Sequence, residues 1–145
     1  SKPSGDIELK KAGEWVSTGD KHMIGTDDDV MMVKSLIDAF DTMNVDQMFE
    51  YFSDEIIWYA ASEKEGTKVD RDFMSNYLSQ YDSVSVDVRS YLPYKRENSD
   101  FSIVQVGSTE KRYPKNGEME TERLIEKFFI KDGKIYAVRG WSAQW

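Results

Sequence analysis

The sequence predicts an α+β domain in which three N-terminal helices pack on a curved, mainly antiparallel sheet. Three observations carry that expectation. The first half holds three segments with apolar residues at helical spacing, and the second half holds four long segments of strand character. The last three strands are separated by KNG and KDG, which are tight-turn sequences. Helices first and consecutive strands after them give a layered α+β pattern with one core.

Residues 1–25 (SKPSGDIELKKAGEWVSTGDKHMIG) are polar, punctuated by glycine, and show no sustained period. They read as an N-terminal arm, and its tryptophan, Trp15, is expected to dock it on the body. The domain proper then runs over residues 26–145. Thr26 is the candidate N-cap of the first helix, and three aspartates follow where the helix dipole favours negative charge. The same aspartates lack the alternating oxygen ligands, the turn glycine and the distal glutamate of a calcium loop, so they cap rather than bind. Val33, Leu36, Ile37 and Phe40 form one apolar face, and Val45, Met48, Phe49 and Phe52 restart the pattern, so two helices meet near Asn44.

IIWYA, residues 56–60, is a short run of β-formers and reads as a strand, followed by a loop through Gly66. Asp70 caps a third helix, DRDFMSNYLSQY, whose Phe73, Tyr77, Leu78 and Tyr81 share a face. SVSVDVRSYL, FSIVQVGSTEKRY, ERLIEKFFI and KIYAVRGWSA are the four consecutive strands, with PYKRENSD, residues 93–100, as a long charged, solvated turn between the first two.

Composition narrows the function classes. At 145 residues the chain is the size of one domain, and 39% hydrophobic and 13% aromatic residues supply a core. With 27 acidic and 19 basic residues the formal charge is -8, which opposes nucleic acid and anionic lipid as partners. No apolar run reaches the roughly 20 residues needed to cross a bilayer, and no leader is legible, so a soluble chain is expected. Its start at Ser1 leaves both a cytoplasmic location and export after leader removal open. The absence of cysteine removes thiol chemistry, and a single histidine, His22, cannot assemble a nitrogen and sulfur zinc site; no metal and no cofactor are expected.

AFDTMNVDQMFEYFSDEIIWYA and FFIKDGKIYAVRGWSAQ resemble the helix, turn, helix and first strand, and the closing hairpin, of the nuclear transport factor 2-like superfamily. This is the cone-shaped fold of the SnoaL-like polyketide cyclases and ketosteroid isomerases, and the resemblance covers about residues 30–145. It implies a pocket between the helices and the concave sheet face, and a homodimer through the outer face. Position by position, the ketosteroid isomerases' general-base aspartate falls on Ala60, their oxyanion tyrosine on Leu36, and their second oxyanion donor, a protonated carboxylic acid, on Glu126. Two of the three are missing, so that isomerase chemistry is not expected, while an acid is retained at the third.

The face that Glu126 occupies depends on the hairpin. On its strand Leu124, Glu126, Phe128 and Ile130 point one way and Ile125, Lys127 and Phe129 the other. A two-residue turn at Asp132 and Gly133 puts Glu126 opposite Arg139, as an ion pair on an outer face. A three-residue loop with a bulge at Gly133 puts it opposite Val138, on a face with Phe128, Tyr136, Gly140 and Ser142, leaving Ile125, Phe129, Ile135 and Trp141 outside. The second register agrees with the closing hairpin of the superfamily and is preferred; a one-residue slip reverses it.

Two function classes follow. In one, the domain binds a small, largely apolar molecule in a cavity walled by Leu36, Phe40, Trp58, Tyr77, Phe128, Val138 and Ser142, without catalysis. Arg89 or Arg112 then supplies a charge partner for Glu126. In the other, Glu126 is a catalytic acid or base of a cofactor-independent isomerase, cyclase or dehydratase, with Tyr59, Tyr77 or Ser142 as hydrogen-bond partners. His22, on the arm, is expected in solvent rather than at the cavity mouth. The long turn at residues 93–100 is in a position to act as a partial lid. The binding class is placed first because the isomerase base and tyrosine are absent.

Overall fold

Helix α1 (Asp27–Asp41) begins where Thr26 accepts a hydrogen bond from the Asp29 amide, with Asp27, Asp28 and Asp29 in its first turn. It ends at Thr42 with Met43 in the left-handed region at φ 57°, and the Asn44 amide donates back to Ala39 O at 2.9 Å. Asn44 then caps α2 (Val45–Tyr51) through the Gln47 amide, so one short link closes one helix and opens the next. Asp70 caps α3 (Arg71–Leu78) in the same way, through the Phe73 amide. These are local signals, and each helix starts where they place it.

The computed structural model describes residues 10–60 and 63–143; the first nine residues of the arm lie outside the described residues. The strands are β1 (Lys11–Trp15), β2 (Asp20–Ile24), β3 (Phe52–Tyr59), β4 (Thr67–Val69), β5 (Tyr81–Arg96), β6 (Ser102–Pro114), β7 (Glu120–Lys131) and β8 (Lys134–Ala143). Among the described residues they form one sheet in the order β1-β2-β5-β6-β7-β8-β3-β4, antiparallel throughout except where β3 runs parallel to β8. Breaks in register near Arg89 of β5 and near Tyr136 of β8 are bulges, which sharpen twist and bend a sheet.

Several elements differ from the sequence expectation. Residues 11–24, which show no period, form the β1–β2 hairpin, and β2 pairs with β5 through His22↔Arg96 and Ile24↔Tyr94. All five residues of β1 are exposed, so no alternation marks the strand. The stretch through Gly66 contains β4, three residues long and equally silent. Helix α3 stops at Leu78, and Tyr81 opens β5 instead of closing the helix. Strand β5 continues through Pro93 to Arg96, because β2 and β6 flank it there, and the expected eight-residue turn shrinks to residues 97–101.

The core lies between the helices and one face of the sheet. Val33, Leu36 and Ala39 of α1 and Met48 and Phe49 of α2 pack with Phe52, Ile56, Val104, Val106, Phe128, Ile130, Ile135 and Val138. Each large apolar side chain removed from water in this way contributes about 1.5–3 kcal/mol before chain entropy is counted.

The β7–β8 turn decides which face Glu126 takes. Asp132 and Gly133 both have positive φ, 52° and 74°, and Lys131 pairs with Lys134, so the turn is the two-residue one and the expected three-residue loop is not formed. That turn alone would put Glu126 opposite Arg139. Past Ile130↔Ile135, however, the register shifts at Tyr136, and the pairs become Phe129↔Ala137, Phe128↔Val138 and Glu126↔Gly140. The bulge restores the parity that the turn had reversed. Glu126 and Phe128 therefore share the inner face with Val138 and Gly140, whereas Ile135, expected outside, is fully buried inside, and Tyr136 meets Phe129 on the outer side.

Candidate acid site

The inner faces of β6 and β7 carry an acidic ladder beyond the core. Glu110 and Arg112 are two residues apart on β6, hence on one face, and Glu122 and Glu120 are their direct cross-strand partners on β7. Two glutamates placed opposite one another repel. Arg112 resolves the conflict: it is 7% exposed and forms ion pairs with Glu110, Glu122 and, at 3.2 Å, Glu120. Burial works against the guanidinium charge, but the hydrogen bond that Arg112 donates to Glu122 and the charge of Glu110 outweigh it, so its pKa is raised. Burial raises the Glu110 carboxyl as well, with Arg112 opposing.

Glu126 stands four residues further along β7 than Glu122, on the same face, opposite Val106 on β6 and Gly140 on β8. A Cβ on Gly140 would lie at ordinary contact distance, 3.7 Å, from Glu126 Cγ, so the two residues are close neighbours across the ladder. The residue is 8% exposed, and among the described residues no hydrogen bond or ion pair reaches its carboxyl. Burial pushes its pKa up to about 8; repulsion from Glu110 and Glu122 adds to the rise and Arg112 opposes it. At neutral pH the group is mainly a neutral carboxylic acid. Nearby on the same face of β6, the hydroxyl of fully buried Ser108 also has no hydrogen-bond partner among the described residues.

Glu110, Arg112, Glu122 and Glu126 open onto a cavity of about 380 Å³, within the usual size of a small-molecule site. Phe40 of α1, Trp58 of β3, Phe73 and Tyr77 of α3 and Leu124 of β7 form apolar walls, and Glu110, Arg112, Glu122 and Glu126 form a polar side. Burial raises the Tyr77 phenol above its ordinary range, so it stays a neutral hydrogen-bond donor.

The structure brings together four of the residues expected from sequence: Phe40, Trp58, Tyr77 and Glu126 all line the cavity. Leu36, Phe128 and Val138 are packed in the core instead, at 3% exposure or less, where the helices meet the sheet. Ser142 lies opposite Leu124 near the end of β8 and is exposed. Arg139 stacks 4.3 Å above the Tyr59 ring and takes no part in the acid site. Arg89 is hydrogen-bonded to Thr109 and to the Ser108 carbonyl, and Arg112, not Arg89, is the cation near Glu126. His22 is half-buried in β2, edge-on to Trp15 and Tyr94, and is not part of the cavity lining. Sequence reasoning missed Glu110 and Glu122, whose signal was the E-x-R spacing of residues 110–112 facing the acidic run at residues 118–122.

No family model matches the sequence, and no curated protein is significantly similar to it. Solved structures are similar in fold. An NTF2-like protein from Cytophaga hutchinsonii is 20% identical, with 81% of this chain and 97% of that one covered at a TM-score of 0.58. An LEH-like epoxide hydrolase from M. tuberculosis is 10% identical, with 81% and 84% covered at 0.62. A ketosteroid isomerase-like protein from Erwinia carotovora atroseptica is 11% identical, with 79% and 93% covered at 0.58. Among the described residues no helix is long and apolar enough to cross a membrane.

Proposed function

We propose that this chain, which has the nuclear transport factor 2-like fold, binds a small, largely apolar molecule in its cavity and exchanges a proton with it through Glu126. The observation that supports this reading is an unpartnered carboxyl, more than nine-tenths buried, on the cavity wall. A carboxyl left in its ordinary range would be fully ionised at neutral pH and a poor acid. One held near 8 is present in both forms, which is the condition for efficient general acid or base work. In its neutral form Glu126 donates to a carbonyl, ether or hydroxyl oxygen of the bound molecule, with the Tyr77 phenol as a second donor on the lining.

The reaction class is a cofactor-independent isomerisation, cyclisation or dehydration. The similarity in fold to a protein described as ketosteroid isomerase-like is compatible with it, but Ala60, where the resemblance places the isomerase base, offers only a methyl group to the cavity. Binding without turnover is the second reading, and a specific observation favours it: Arg112 ties up Glu110 and Glu122, so neither is a free base beside Glu126. In either reading a homodimer through the outer sheet face, where Ile125 and Trp141 are 47% and 44% exposed, completes the proposal.

Glu126→Gln separates the two readings. It keeps the shape and removes the titration. With cyclic ketones and hydroxyketones as the substrate panel, the catalytic reading expects kcat to fall by about 100-fold or more with KM little changed. No turnover by the wild type, with equal ligand binding by wild type and variant, would leave the binding reading alone standing.

A further inference from the structure

The charge on the cavity wall constrains the polar end of what it holds. Among the described lining residues there are four glutamates, Glu63, Glu110, Glu122 and Glu126, and Arg112 is the single basic one. That arginine is committed. It pairs with Glu110 and Glu122 inside the lining and with Glu120 behind it, so three carboxylates share one guanidinium and the cluster carries a surplus of two negative charges before Glu126 is counted. An anion entering the cavity meets repulsion and no uncommitted basic group among these residues. A neutral molecule leaves the surplus as it was. A cation offsets it.

An acidic cluster alone would mean little, but Glu126 is an independent sign of a ligand. It is 8% exposed, lines the cavity, and has no hydrogen-bond or ion-pair partner among the described residues. A buried carboxyl left unpaired is costly, and a positively charged group is the partner that lowers that cost most. The facing wall suits the same guest: Trp58, Phe73, Tyr77 and Tyr81 present aromatic rings, whose faces attract cations. The formal charge of -8 raises the local concentration of cations in the same direction.

We propose that the ligand of this cavity carries a cationic nitrogen on a largely apolar body, a small hydrophobic amine or quaternary ammonium, seated between the aromatic wall and the carboxyl groups of Glu126, Glu122 and Glu110. This rests on the reading of the cavity as a small-molecule site and names the class of molecule it takes.

A proton is linked to binding. The charged and titratable groups that line the cavity with Glu126 are Glu110 and Arg112 from β6, Glu122 from β7, Tyr77 from α3, Tyr81 at the start of β5 and Glu63 from the loop before β4; β8 contributes Gly140. A cation in their midst favours the ionised form of Glu126, so binding releases its proton. Affinity for a fixed positive charge therefore rises with pH through about 8 and levels off above it. By the same linkage the bound cation leaves Glu126 as a carboxylate beside the ligand, in the form that accepts a proton.

The test uses three probes with one apolar body: naphthylmethylamine, naphthylmethanol and naphthoate, titrated into the whole protein by calorimetry. The amine is expected to bind at least about tenfold more tightly than the alcohol, and naphthoate to show no saturable binding. With naphthylmethyl-trimethylammonium, whose charge does not titrate, affinity is expected to rise about tenfold between about pH 6 and about pH 9, with proton release seen as a buffer-dependent heat. Glu126→Gln, checked for native fold by circular dichroism, should abolish that rise. An alcohol bound as tightly as the amine, naphthoate bound best, or an ammonium affinity flat in pH would overturn the cationic ligand and leave the small-molecule site standing. Failure of every probe to bind the wild type would overturn both.

Discussion

Glu126 lies directly opposite Gly140 across the β7–β8 ladder, and both residues line the cavity. Any larger residue on β8 would project from the same face at the same level. A methyl group there would sit at ordinary contact distance, 3.7 Å, from Glu126 Cγ. Gly140→Ala is therefore expected to gain about 0.5–1 kcal/mol from the entropy of the unfolded chain. It should also weaken ligand binding by filling the cavity beside Glu126. Chemical denaturation and a ligand titration on the same variant check both halves.

The acid site makes stability fall as pH rises. Glu126 has an ordinary value of 4.5 and is raised to about 8 in the folded chain, so between those values the unfolded state gives up a proton that the folded state keeps. Its contribution is full below about 4.5 and is lost as pH rises toward 8. By neutral pH the loss is on the order of 3 kcal/mol. Glu126→Gln should remove it, so the difference in melting temperature between variant and wild type is expected to grow from about pH 5 to about pH 8 and then level off. A constant difference across that range would count against a folded-state proton on Glu126.

Arg112 holds together carboxylates that would otherwise repel. Arg112→Met removes the shared cation and leaves Glu110 and half-buried Glu122 facing one another across the ladder. The expected cost is roughly 1–3 kcal/mol at neutral pH, below the range for a fully buried pair because solvent screens the partly exposed Glu120 and Glu122. Loss of the cation should also move Glu126 further up, since Arg112 is the group opposing its shift. Urea denaturation near pH 5 and pH 8 checks the assignment: at about pH 5 protonation of Glu110, whose carboxyl is already raised, should recover part of the loss.

The helices were legible because their signals are local. Thr26, Asn44 and Asp70 each satisfy a free amide within three residues of themselves, and the apolar spacing behind them leaves little choice of face. The β1–β2 hairpin was not legible, because a strand paired at a sheet edge with every side chain exposed has no alternation to read. Glu126 is the instructive case. Its face was read correctly and its register was not: the Asp132–Gly133 turn and the bulge at Tyr136 each shift parity by one, and the two shifts cancel. Nothing at Tyr136 announces a bulge in the sequence.

The cavity was half legible for a related reason. Phe40, Trp58 and Tyr77 line it, while Leu36, Phe128 and Val138, on the same faces by periodicity, are covered by neighbouring elements. Periodicity assigns a face but not a depth along it. The Glu110, Arg112 and Glu122 cluster depends on β6 and β7 pairing in one register across a hairpin, which spacing within either strand does not fix.

The most direct measurement is the pKa of the Glu126 carboxyl by carbon-detected NMR titration, with Glu126→Gln to assign its signal. The expected result is a midpoint near 8, with Glu110 also above its ordinary value. A midpoint at the ordinary value of 4.5 or below would mean that Glu126 is solvated or paired, and would contradict the acid site on which the proposed function rests.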